Sequence, residues 1–339
     1  MKVLLYSEGY NAIKKSGVGK ALSHQMKALE LNGVEYTLDS REPHDLIHIN
    51  TIGLKSYRMA KAARKKGLSV VYHAHSTQED FRNSFLGTNT VAPLFRRWIT
   101  KCYSLGDCIV TPTPYSKGLV ESYGIRNTII PVSNGIDLDF FRRDERKAQE
   151  FREKFGLSKT DKVVMAVGLY IGRKGIVDFV ELARRMPEYQ FIWFGYNSPW
   201  VVPRRIRKAV KTKLPNLHFP GYIGSEELRA AYWGSDLFFF PTFEETEGIV
   251  LLEALAAGCP ALIRDIPIYR DWLTDRVTIY KADSVDGFER AIRGICEGEL
   301  PSLTKAAMQV AQERSLKIVG AQLKEVYEGC LSGKYRRPD

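Results

Sequence analysis

Two hydrophobic patterns alternate along this chain. Short apolar runs occur at Val3–Ser7, Leu46–Asn50, Ser69–His73, Asp107–Thr111, Thr128–Pro131, Val163–Val167, Phe191–Gly195 and Leu237–Phe240. Such runs predict strands buried on both faces, as in a parallel sheet. Between them lie segments with helical spacing, such as Lys20–Leu31, stopped by Asn32-Gly33, and Ser315–Leu331. Alternating strands and helices predict an α/β architecture. At 339 residues, two domains are expected, and no repeat is visible beyond two α/β halves. The opening MKVLLYSEG reads as a first strand, its apolar run being too short for a signal peptide. No apolar run is long enough to span a bilayer.

The stretch Ser235–Arg264 carries the most chemistry. The run Leu237–Phe240 ends at Pro241, an acidic loop covers Phe243–Gly248, and Ile249–Ala257 is apolar with small residues before Gly258 and another strand. This is one βαβ unit, and ligands of such sheets bind beyond the carboxyl ends of the strands. Glu245 lies in the loop and Glu253 lies among leucines and alanines, so Glu253 needs a buried partner. Gly248 permits close approach of a ligand to the backbone, and a helix starting there presents free N–H groups to a phosphate. Two acids for hydroxyls and a helix end for phosphate suit a nucleotide sugar. An ordinary core helix with acids near its N-terminus fits the same residues.

Three further loops follow predicted strands. Ser16-Gly17-Val18-Gly19, with Lys15 before it, opens a helix, but it is not a dinucleotide fingerprint. His73 and His75 end a strand and share one side of it; they lack a third ligand at telling spacing, and a structural role fits them equally. Gly168–Gly175 is glycine-rich and carries Arg173 and Lys174, adjacent cations suited to gripping a diphosphate.

The net charge of +11 bears on partners and is concentrated in acid-free segments. Lys55–Lys66 holds Lys55, Arg58, Lys61, Arg64, Lys65 and Lys66. Phe81–Gly106 combines Arg96, Arg97 and Lys101 with Trp98 and other aromatics, and Arg204–Lys213 is a third basic run. Basic and aromatic residues together suit an anionic bilayer surface. Solvated outer helices of the α/β layer are the plainer reading. Nucleic acid is not expected: no recognised motif is present, and the acidic loop would repel a phosphate backbone. The five cysteines form no C-x-x-C pair and no even framework, so reduced thiols are expected.

Glu245-x7-Glu253 with Gly248, followed by EALAAGCP, resembles the signature of the retaining GT-B glycosyltransferases of family 4. Ser133-Asn134-Gly135-Ile136-Asp137 is similar to the loop that ends the first domain in that family, and NLHFPGY, Glu226-Glu227-Leu228 and Tyr232 follow its order. The resemblance implies two Rossmann-like domains facing a central cleft. It divides the chain into 1–143, an acceptor and membrane-facing domain, and 144–312, a nucleotide-sugar domain, with a C-terminal helix in 313–339 bracing the first. It implies Glu245, His75 and Lys174 as catalytic residues. Ser16, Gly17, Arg173, Lys174, Glu245, Gly248, Ile249 and Glu253 would bind the donor, Glu253 at its ribose. The family carries an Arg where this chain has Leu169, a departure that Arg173 would make good from its displaced position. Asp137-Leu138-Asp139 formally matches a metal motif of the other large glycosyltransferase fold; in its loop context it is read as structural, and no metal or other cofactor is expected.

The segments EGYNAIKKSGVGKALSHQMKALELNGVEYTLD and HAHSTQEDFRNSF are similar to bacterial diglycosyl-diacylglycerol synthases. That resemblance implies α-hexosyl transfer from UDP-glucose or UDP-galactose to a glycolipid acceptor, glucosyl-diacylglycerol, in glycolipid and lipoteichoic acid anchor synthesis. The enzyme would be cytoplasmic, peripheral on the inner face of the membrane. First glycosylation of diacylglycerol, or transfer to a soluble or cell-wall acceptor, stays open. On this reading Glu245→Ala removes transfer and leaves the fold intact.

Overall fold

The computed structural model describes residues 1–14 and 16–335, so Lys15 of the Ser16-Gly17 loop lies outside the described residues. Two parallel sheets of six strands form its framework. The first contains β1 Lys2–Tyr6, β2 Glu35–Thr37, β3 Leu46–Ile49, β4 Ser69–His73, β5 Cys108–Thr111 and β6 Thr128–Pro131, in the order β2-β1-β3-β4-β5-β6. The second contains β7 Lys162–Val167, β8 Tyr189–Phe194, β9 Leu217–Gly221, β10 Leu237–Phe240, β11 Ala261–Arg264 and β12 Tyr280–Ala282, in the order β12-β11-β10-β7-β8-β9. Central strands such as β3, β5 and β10 are buried along their whole length, as unbroken apolar runs require. Chain order reverses between β1 and β3 in one sheet and between β7 and β10 in the other. Such reversals open a crevice at the carboxyl ends of the strands.

The chain divides into two compact units. One comprises Met1–Phe81, Thr90–Asp137 and the segment from Arg314; the other comprises Arg82–Asn89 and Leu138–Glu313. Arg82–Asn89 therefore departs from chain order. It is held in the second unit by bonds from Arg173 N to the Asn83 carbonyl (3.3 Å) and from Leu86 N to the Val201 carbonyl (2.9 Å).

In the first unit the helix Leu316–Leu331 packs along the helix Gly17–Leu31, and the Asn32 amide donates to the Lys317 carbonyl at 3.0 Å. Beneath them lies a buried polar chain. Gln25 Nε2 and Tyr327 OH lie 2.7 and 2.8 Å from His48 Nδ1. On the other side of the ring, His48 Nε2 and His73 Nδ1 share a hydrogen bond of 3.2 Å. The His73 ring stacks on that of His75, with centroids 3.7 Å apart. Burial pushes His48 and His75 down to about 3, and His73 well below its ordinary value.

These rings are neutral in the folded protein and take up protons on unfolding, around pH 6.5. The contribution of the fully buried His48 is therefore full above pH 6.5 and declines as pH falls toward 3, by about 1.4 kcal/mol per pH unit. Urea unfolding of wild type and His48→Gln between pH 7 and 4 is expected to give a shallower pH slope for the variant. Equal slopes would contradict the burial of a neutral ring.

Candidate active site

The crevice between β7 and β10 is built from two loops. The first, after β7, runs through a turn at Gly172–Lys174 to Gly175. Gly175 has φ +78°, and a Cβ there would stand 2.2 Å from the Pro241 carbonyl oxygen. Backbone conformation and close approach both require glycine. The second loop, after β10, answers with two hydrogen bonds to the Arg173 carbonyl, from Phe243 N at 2.7 Å and from Thr242 Oγ1 at 3.2 Å. The two loops are thereby joined.

Glu245 sits at this joint and is 7% exposed. Its Oε1 accepts from Lys174 Nζ, from Thr242 Oγ1 at 2.8 Å and from the Arg173 guanidinium at 3.5 Å. Burial pushes the carboxyl upward, but the Lys174 and Arg173 charges and these hydrogen bonds outweigh it, and its pKa lies below the ordinary value. Glu245 is therefore ionised and is paired with two cations. Lys174 also lies over the Phe240 ring, 5.2 Å from its centroid.

Arg173 is held by protein groups on both sides of the joint. Its Nε donates to Ser84 Oγ at 3.0 Å and its NH1 to the Glu244 carbonyl at 2.8 Å. The guanidinium fastens the Arg82–Asn89 segment to the acidic loop, so its hydrogen bonds go to protein. Leu169, at the family's Arg position, is exposed.

Gly248 caps the helix Ile249–Ala256 with φ +92°. A Cβ there would meet the Phe240 ring at 3.1 Å and the Tyr269 hydroxyl at 3.2 Å. The first N–H groups of this helix, beginning at Ile249, have no intrahelical partner. One turn further, Glu253 is fully buried and accepts from Tyr232 OH at 3.0 Å, the partner its burial demands.

Sequence reasoning missed Thr242, Ser84, Arg264 and Tyr269. Arg264 is buried at the end of β11. Its Nε donates to the Pro241 carbonyl at 3.0 Å, it pairs with Asp178, and it stacks over the Phe243 ring at 3.8 Å. A charged residue closing an apolar strand beside the site was the available signal. The Tyr269 hydroxyl is buried beside Gly248 without a hydrogen-bond partner among the described residues, and nothing local in the sequence marks it.

In the first unit, half-buried His75 meets Asn50 Oδ1 through Nε2 at 3.1 Å. Ser16 Oγ accepts from Gly19 N at 3.2 Å and donates to the Ile13 carbonyl at 2.7 Å. It is the cap of a helix that begins at Gly17, earlier than the predicted Lys20. Asp137 pairs with Lys27, and Asp139 meets Arg142 at 3.2 Å. No metal-binding group of three or more His, Cys, Asp or Glu occurs among the described residues.

The basic segments divide by face. The helix Leu54–Lys65 exposes Lys55, Arg58, Lys61, Arg64 and Lys65, with Lys66 following, while Ala60 and Ala63 are buried. The helix Thr88–Tyr103 exposes Val91, Leu94, Arg97 and Lys101. Trp98 corrects the sequence reading: helical periodicity turns it inward, where its Nε1 donates to the Ile52 carbonyl at 2.7 Å. Arg96 likewise donates to the Ser122 carbonyl at 2.7 Å and covers the Tyr123 ring. No helix among the described residues is long and apolar enough to cross a membrane.

Two parallel α/β units, with a carboxylate–cation joint at the strand-order reversal of one, define a GT-B glycosyltransferase. Comparison supports this at every level. Residues 33–140 match the Glycosyltransferase Family 4 model and residues 147–314 match Glycosyl transferases group 1. The chain is 41% identical over 335 residues to the processive diacylglycerol alpha-glucosyltransferase of Acholeplasma laidlawii, spanning 98% of this chain and 100% of that protein. It is 24% identical to the alpha-galactosylglucosyldiacylglycerol synthase of Streptococcus pneumoniae, over 67% of this chain and 62% of that one. The structure is similar to that of Anabaena HepE in complex with UDP-glucose, with a TM-score of 0.78 at 15% identity, covering 97% of this chain and 100% of that one. The chain belongs to the family 4 retaining glycosyltransferases and is a hexosyltransferase.

The Glu245 geometry changes the expectation for Glu245→Ala. Truncation leaves the half-buried Lys174 and Arg173 beside a lost counter-charge, at a cost of about 1–3 kcal/mol, less than for a fully buried pair. The fold is therefore expected to be weakened, not untouched. Glu245→Gln, which keeps the volume and the acceptor for Thr242, is expected to melt closer to wild type while losing about a hundredfold or more in transfer. Thermal melting and turnover of the two variants check this; equal melting of Ala and Gln variants would contradict it.

Proposed function

We propose that this enzyme transfers an α-glucosyl group from UDP-glucose to diacylglycerol-based acceptors at an anionic membrane surface, adding it chiefly to glucosyl-diacylglycerol. The single observation that carries the acceptor is the 41% identity across the whole chain to a processive diacylglycerol alpha-glucosyltransferase. The word processive in that relative's name also favours a second step on this chain, glycosylation of diacylglycerol itself. Transfer of galactose is the alternative suggested by the galactosyl-transferring relative.

In this reading Lys174 supplies charge to the donor diphosphate, and its strength as a donor is set by Glu245. Glu245 has its Oε1 engaged by Lys174 and Thr242, so the rest of the carboxylate is directed at the sugar. The N–H groups after Gly248 take a phosphate or sugar oxygen, and Glu253 takes the ribose. Arg173 acts by positioning, holding Ser84 and Glu244 around the loop. His75, at the end of β4, is a sugar-orienting residue in this reading, and Ser16 and Gly17 form a helix start that suits a phosphate. Charge grows on the leaving diphosphate as the glycosidic bond breaks, and fixed cations stabilise that change most in a site removed from water. Retention follows from attack on the face the diphosphate leaves, with a phosphate oxygen taking the acceptor proton. No side chain is required as the base.

Membrane association is proposed through the outward basic faces of Leu54–Lys65 and Thr88–Tyr103, where Val91 and Leu94 accompany Arg97 and Lys101. Trp98 and Arg96 are assigned supporting places in this surface, since their side chains bond the Ile52 and Ser122 carbonyls.

The test is transfer from radiolabelled UDP-glucose and UDP-galactose to diacylglycerol and glucosyl-diacylglycerol in anionic vesicles. Labelled diglycosyl lipid from UDP-glucose is expected, with a slower mono- to diglycosyl series from diacylglycerol. Donor hydrolysis without any lipid product would overturn the acceptor while leaving the family intact.

A further inference from the structure

Two segments far apart in sequence form one exposed apolar and basic surface on the second unit. The segment Arg82–Asn89 is tied to the turn Pro199–Val201 by the bond from Leu86 N to the Val201 carbonyl, 2.9 Å. Asn83 and Asn89 close the segment on itself through bonds of 2.8 and 2.9 Å, and Ser84 is fixed by Arg173. The side chains around this junction point outward: Trp200 is 79% exposed, Leu86 55%, Val201 41% and Phe85 37%. Trp200 is among the most exposed large apolar side chains of the molecule. Exposing four such groups together is unfavourable unless something covers them.

Charge identifies the cover. Arg82 flanks one side and Arg204, Arg205 and Lys208 the other, all exposed, and neither segment contains an acid. The short helix Arg204–Val210 buries Ile206 and Ala209, so its cations are turned away from the core. An indole and aliphatic tips ringed by arginines match the boundary between acyl chains and anionic headgroups. A protein partner would need one matched, shape-complementary acidic surface; a bilayer needs only apolar depth and negative charge.

We infer that Phe85, Leu86, Trp200 and Val201, with the surrounding arginines, form a second bilayer-docking surface, one that lies on the donor-binding unit and inserts Trp200 at headgroup depth. This rests on the membrane-surface reading above and adds to it a site on the other unit. The surface is also wired to the active site, because Ser84 and Asn83 hold Arg173, which touches Glu245. Docking would therefore steady the acidic loop.

The test uses the full chain and sedimentation with phosphatidylglycerol or phosphatidylcholine vesicles lacking acceptor. Each basic residue near an anionic surface contributes about fivefold in partition. Arg204→Glu with Arg205→Glu is therefore expected to lower partition into phosphatidylglycerol by about 25-fold or more. Trp200→Ser is expected to lower it several-fold, while transfer to a detergent-dispersed acceptor is kept. Brominated acyl chains are expected to quench tryptophan emission in wild type and to lose that quenching in Trp200→Phe, which still binds. Unchanged partition and unchanged quenching in these variants, with wild type bound, would overturn the second surface and leave the first. Failure of wild type to bind any vesicle would overturn both. Loss, in the same variants, of a concentration-dependent dimer or of duplex RNA binding, without vesicle binding, would assign the surface to a second copy or to nucleic acid.

Discussion

The second unit depends on one buried carboxylate. Glu245 is ionised in a site that solvent hardly reaches, and the adjacent Lys174 and Arg173, with the Thr242 hydroxyl, make that state favourable. To bring those cations to it, the loop after β7 must lie against the loop after β10. That contact requires Gly175 without a side chain, the Arg173 carbonyl as an acceptor for Phe243 and Thr242, and Arg264 clamping Pro241 from behind. Strand order makes the contact available, because β7 and β10 are neighbours at the point where connections diverge. The backbone contacts and the ion cluster reinforce one another: move the loops and the cluster cannot form.

The same cluster explains how a sugar diphosphate site can be preformed. The Glu245 carboxylate holds both cations in place before any ligand arrives. A cation held by protein hydrogen bonds needs little reorganisation when charge develops on a leaving group. Arg173 and Lys174 are adjacent in sequence yet divide this work. Arg173 points its fork at Ser84 and Glu244 and becomes part of the frame, while the compact ammonium of Lys174 stays beside Glu245 and Phe240.

Much of this was legible in the sequence because it depends on local pattern. The apolar runs of β3, β6 and β10 can be read to within a residue, and Glu253 among leucines announces a buried acid in need of a partner. What was illegible depends on tertiary pairing. β2 has only three residues, without a run to mark it. Trp98 sits in a basic, aromatic segment, and only the helical phase places it inward. The displacement of Arg82–Asn89 into the second unit comes from contacts to Arg173 and Val201, residues far along the chain. The protein partners of Arg173 were hidden for the same reason: Ser84 and the Glu244 carbonyl are distant in sequence and adjacent in space. Ser16 reads equally as loop or cap until the helix start is fixed at Gly17.

The account stands on Lys174 and Glu245 acting as one device, and a double-mutant cycle measures that directly. Transfer kcat/KM would be determined for wild type, Lys174→Met, Glu245→Gln and the double variant. If the pair is a single unit, the second substitution removes little that the first has left, and the double variant is no slower than the slower single one. Losses that simply multiply would mean that the two residues act independently, and the ion cluster would not be the organising feature of the site.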